Sequence, residues 1–153
     1  MQVHPLTGLI QHYINEYENL RENNLDLMHL AFHRKFGLLL RCPFGWDILG
    51  AIKNVIKDLT TKKIVVIFSS TTAYREIYSV LGDGIKYFSW HEIFTGMNVV
   101  GRDVRYIQRI TAILAEADFV FFINPPSLPE VIDQVAGQTS GGLVVISGNE
   151  VQE

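Results

Sequence analysis

The chain has 153 residues, of which 48% are hydrophobic and 19% charged, with a mean hydropathy of +0.16, which excludes wholesale disorder and supplies one buried core. A formal charge of −3 and a pI near 5.9 speak against an obligate, non-specific nucleic-acid binder. Cys42 is the only cysteine, so no internal disulfide can form, and no apolar run approaches the ~20 residues of a membrane span.

With no signal-peptide pattern at its start, the chain is expected to be soluble and cytoplasmic, reaching the inner face of a membrane only if a partner recruits it. From Leu6 to Leu20, Leu9, Ile10, Tyr13, Ile14, Tyr17 and Leu20 recur at helical spacing, with Thr7 as a candidate cap. A polar break at Arg21-Glu22-Asn23-Asn24 leads to a second helical stretch, Leu25 to Arg34. The two make a helical prefix over residues 1–35, ahead of a core over 36–153. His29 and His33 stand four apart, a spacing that can place two imidazoles on one metal. No further ligands with recognisable spacing lie nearby, so ordinary half-buried histidines and no metal site are expected.

The core opens with a buried strand, Leu38 to Leu40, a tight loop, Arg41-Cys42-Pro43-Phe44-Gly45, and a helix with Ile48, Leu49, Ile52, Val55, Ile56 and Leu59 on one stripe. Strand, loop and helix in this order have the outline of a phosphate-binding loop, GxxxxGK[ST]. Laid on Cys42 to Leu49, the motif puts Cys42 and Asp47 at its glycines, Ile48 at its lysine and Leu49 at its metal-holding hydroxyl. Gly45 and Trp46 fall between the motif's two glycines. A carboxylate and two aliphatics therefore stand where phosphate and Mg²⁺ would be held. Trp46 is read as filling the empty phosphate space, and Cys42 as a small buried hydrophobe rather than a redox thiol.

Lys62-Lys63 precede a β-branched run, Ile64 to Phe68, that reads as an interior parallel strand. Ser69 to Thr72 cap a helix from Ala73 to Leu81, and a weaker strand covers Ile85 to Phe88. Ser89 to Gly101 reads as a loop with one helical turn, its His91 and Glu92 a surface pair without a nucleophile in reach. A helix follows from Arg102 to Glu116, turning Val104, Ile107, Ile110, Ile113 and Leu114 inward and Arg102, Arg105 and Arg109 outward. That arginine stripe is either a solvated face or a docking surface for an acidic partner or phosphates. Asp118 to Ile123 is the most hydrophobic strand and is stopped by Asn124-Pro125-Pro126. Ser127 caps a helix from Leu128 to about Gly137, and Leu143 to Ile146 is the last strand. Strands alternating with helices give an α/β fold, with a mostly parallel sheet covered by helices on both faces.

From Asn24 to Glu150 the order of parts resembles the RecA-like motor domain of the secretion ATPase superfamily, the engines of type II secretion and type IV pili. The likeness rests on Glu116-Ala117-Asp118, Phe119 to Phe122, Ile123-Asn124-Pro125-Pro126-Ser127, Leu128-Pro129-Glu130 and Ser140-Gly141-Gly142-Leu143-Val144, in register without a gap. It implies a P-loop NTPase fold whose functional positions are exchanged. The Walker B glutamate falls on Asn124, and the family's acidic pair after its second strand falls on Phe68 and Ser69. A motif histidine falls on Gly142 and a later one on Asn149. Phosphoryl transfer is positioning plus cation stabilisation, so a copy lacking lysine, hydroxyl and carboxylate is expected to bind no cofactor and hydrolyse no ATP. The resemblance implies a pseudo-ATPase that meets a protein partner among pilus or secretion-motor components, with self-association left open. The competing readings are a small-ligand sensor at the strand ends, with a pocket lined by Trp46, Asp47, Ser69 and Asn124, and a helicase-loader-like or nucleic-acid accessory.

Overall fold

The computed structural model describes residues 5–22, 37–42, 46–69, 71–94, 104–126 and 129–148. Helix α1 (Pro5–Glu22) is followed by β1 (Gly37–Arg41), α2 (Ile48–Ile56), β2 (Ile64–Phe68), α3 (Thr71–Leu81), β3 (Lys86–Ser89), α4 (Trp90–Phe94), α5 (Val104–Glu116), β4 (Phe119–Ile123), α6 (Pro129–Gln138) and β5 (Gly142–Ser147). The second helical stretch with His29 and His33, and Gly45, Ser127, Asn149 and Arg102 with them, lie outside the described residues.

The five strands form one sheet in the order β1-β5-β4-β2-β3, every pair parallel. Going from β1 to β2 the chain passes over β5 and β4, and from β3 to β4 it returns over β2. Right-handed crossovers send helices of the outward moves to one face and those of the return to the other. The core divides accordingly. On one face α1, α2 and α3 bury Leu6, Ile10, Ile14, Ile52, Val55 and Ile77 against Val66, Phe119, Phe121, Val144 and Ile146. On the other, α4, α5 and α6 bury Ile93, Ile110, Leu114, Val131 and Val135 against Val65, Ile67, Val120, Phe122 and Val145. Strands β2 and β4 are buried at every position, as their unbroken apolar runs require of an interior strand with helices on both sides.

Two expectations are corrected by this arrangement, and the helical turn expected after Ser89 is found as α4. The Leu38–Leu40 run is an edge strand rather than a buried one: Leu38 and Leu40 pack inward while Leu39 is 70% exposed. Three consecutive leucines state hydrophobicity, but position in the sheet decides whether both faces are covered. Thr7 is not a cap, because α1 begins at Pro5, whose fixed φ and missing N–H suit the first turn. In the stretch after Phe88 a capping box is formed: His91 N–H donates to Ser89 Oγ (3.2 Å), and the Glu92 carboxylate reaches back to Ser89 N–H (2.9 Å). The pattern Ser-x-x-Glu over 89–92 carries that signal in the sequence.

Helix α1 is pinned to the start of β5 by polar contacts as well as by its apolar stripe. Leu143 N–H donates to Tyr13 Oη (3.0 Å), and Tyr17 Oη–H donates to the Ser140 carbonyl (3.3 Å). Tyr17 also meets Phe119 edge-on at 5.6 Å between ring centres. At the same end, Asp118 Oδ2 accepts Lys63 N–H (2.7 Å), while the Lys63 carbonyl accepts Asp118 N–H (2.8 Å), which ties the entries of β2 and β4 together. Gly141 and Gly142 let the chain pass through this junction. A Cβ at Gly141 would overlap the carbonyl oxygens of Ala117 and Asp118, and one at Gly142 would lie 2.7 Å from the Phe119 ring. Gly141→Ala is therefore expected to cost ~1–3 kcal/mol or more by overpacking against backbone that cannot rotate away. An unchanged urea midpoint in that variant would contradict the geometry.

Burial also links the fold to alkaline pH through two phenols. It pushes the Tyr87 phenol up to about 12, helped by neighbouring Tyr74 and Tyr78 and by Asp83, and it raises Tyr13 as well. A folded-state value above the unfolded ~10 means that the stabilisation is complete below pH ~10 and is lost as pH rises through about 12. Absorbance at 295 nm, followed beside far-UV circular dichroism, is expected to show part of the tyrosinate signal appearing only together with unfolding. Six tyrosines titrating near pH 10 with the fold intact would contradict this.

Candidate functional site

In an open parallel sheet ligands are met at the carboxyl ends of the strands, above all where neighbouring strands send their chains to opposite faces. Here β2 leads into α3 on one face, while its neighbour β4 leads into α6 on the other. Ser69 stands half-buried after β2, and Asn124 half-buried after β4. Gly148 follows β5, and the loop into α2 follows β1.

Each position that the resemblance sets against a functional residue and the structure describes has a structural occupation. Asp47 is the N-cap of α2: its Oδ1 accepts Gly50 N–H at 2.9 Å, and its carbonyl accepts Ala51 N–H at 3.1 Å. The first N–H groups of a helix are the donors a phosphate-binding loop presents to its anion. One of them is taken by a carboxylate of the chain itself. Magnitudes decide what a phosphate would meet there. The helix dipole favours an anion by ~0.3–1 kcal/mol at an exposed end. Two unit charges at ~4 Å repel by about 1 kcal/mol in bulk water and about 4 near a protein surface. The repulsion offsets the attraction.

Ile48, at the lysine position, is half-buried and packs against the first core; a Cβ added to Gly148 would overlap its Cδ1. Glycine at 148 is thus what allows the end of β5 to approach α2. Leu49 is half-buried in the same cluster, as is Trp46, whose carbonyl accepts Ile48 N–H at 3.1 Å. Cys42 is buried, with its N–H donating to the Ser147 carbonyl (2.7 Å), and burial pushes its thiol pKa up. It is a packed hydrophobe holding β1 to β5, as read from the sequence.

Asn124 is bound to β5 by both its backbone and its side chain. Its N–H donates to the Ile146 carbonyl at 2.8 Å, and its Oδ1 accepts Gly148 N–H at 2.7 Å. It is the one described non-glycine residue with positive φ, at 50°. Asn tolerates this region better than most residues, yet the following Pro125 favours an extended backbone before it, so the turn holds strain on the order of 1–3 kcal/mol. At the position given to a water-orienting carboxylate, the structure has an amide engaged with the next strand.

The structure thus brings Ile48, Gly148 and Asn124 together and turns Asp47 onto its own helix. It does not join them to the arginines. Arg105 and Arg109 lie exposed on α5, opposite the buried Ile110 and Leu114. The neighbour that sequence reasoning missed is Ser89, whose Oγ lies 3.1 Å from His91 Nδ1. A hydroxyl is therefore in reach of the imidazole after all, but it is held as the capping residue of α4. Among the described residues no group of three or more His, Cys, Asp or Glu could hold a metal, and no helix is long and apolar enough to cross a membrane.

Comparison of the chain with protein-family models, curated proteins and solved structures gives no match.

Two measurements check these assignments. Asp47→Ala removes the cap of α2 and is expected to cost ~0.5–2 kcal/mol, whereas Asp47→Asn, an equally good cap, leaves stability nearly unchanged. At ~2–4 °C per kcal/mol for a chain of this size, the difference is readable in Tm. Equal Tm values for the two variants would remove the capping role. Cys42 should react with an aromatic disulfide reagent at least tenfold more slowly in the native protein than in guanidinium, following its burial and raised pKa. Rapid native labelling would contradict a packed thiol.

Proposed function

We propose that this chain is a non-catalytic pseudo-ATPase of RecA-like type, working as an interaction or regulatory component of a type IV pilus or type II secretion-like motor. The five-stranded parallel sheet is consistent with a Rossmann or RecA-like layout. The observation that carries the reading is the cap: the Asp47 carboxylate holds Gly50 N–H at the helix end where a triphosphate would be cradled. Two further contacts support it. Ile48 closes on Gly148 where a lysine would reach for phosphate, and the Asn124 amide is bound to Gly148 N–H where a carboxylate would orient water. Stabilising the transferring phosphoryl needs cations and fixed donors, and these positions supply an anion, an alkyl chain and an occupied amide. What remains for such a domain is its surface. The role is recognition of a motor component through faces that catalytic relatives use between subunits.

Calorimetric titration with ATP and Mg²⁺ is expected to give no binding heat at up to millimolar nucleotide, and a phosphate-release assay no turnover above buffer. Affinity capture with the full chain should enrich pilus or secretion-motor components. Nucleotide binding in the micromolar range or measurable phosphate release would overturn the pseudo-ATPase reading. Capture without any motor component would remove the assignment to that machinery.

A further inference from the structure

We draw no further inference here: the strongest candidate, the outer edge of β1 with Leu39 70% exposed on the sheet face shared with α5 and α6, is an apolar surface for which nothing in the structure shows what covers it.

Discussion

The fold depends on the burial of β4 from both sides. Phe119 and Phe121 point into one layer and Phe122 with Val120 into the other, all with no exposed surface. Each large side chain so buried contributes roughly 1.5–3 kcal/mol relative to exposure. That return is available only if both faces are covered, and the crossover connections of a parallel sheet place helices there. The strand order follows the same need. With β5 and β2 paired to either side of β4, the most apolar strand occupies the middle of the sheet, and the least covered strands, β1 and β3, take the edges.

A consequence is that both ends of β4 must be anchored without exposing it. At its start, Asp118 and Lys63 exchange backbone and side-chain hydrogen bonds between neighbouring strands, and Gly141 and Gly142 at the entry to β5 let Tyr13 and Phe119 pack against the chain. At its end the problem is different. Pro125 and Pro126 have no N–H to continue the ladder, so Asn124 turns the chain and uses its amide to hold Gly148. The strained residue and the glycine that admits Ile48 are neighbours in space because the same turn satisfies both β4 and β5.

What was legible in the sequence follows from which physical signals are local. Strands β2 and β4 announce themselves, since five apolar residues in a row have no amphipathic alternative at that length. Helices α1, α2 and α5 are visible through their stripes, and the Arg105 and Arg109 face was placed outward correctly. Strand β1 was misjudged because its three leucines look the same at an edge as in the interior; the distinction is made by which strands pair with it, a non-local fact. The start of α1 was misplaced because Thr7 was weighed as a cap while Pro5 was not weighed as a first-turn residue. Within the site, Asp47 was read only as the loss of a glycine. Standing three residues before Gly50, at the head of an apolar stripe, it also carries an N-cap signal. The Asn124–Gly148 bond joins residues 24 apart and no local pattern announces it.

The contact at the helix end shows how a loop of this outline is completed without a ligand. The first N–H groups of a helix have no partner within it and are met by side chains, water or a bound anion. Placing a carboxylate on the residue before the helix satisfies one of these donors from within the chain. The same logic holds at the far side of the site, where the Asn124 amide meets the donor of Gly148 that follows β5. Both contacts tie the end of an element to the chain itself. On the reading proposed above, a domain whose strand ends are held by its own side chains gains little from a nucleotide, and recognition of other surfaces is the chemistry left to it.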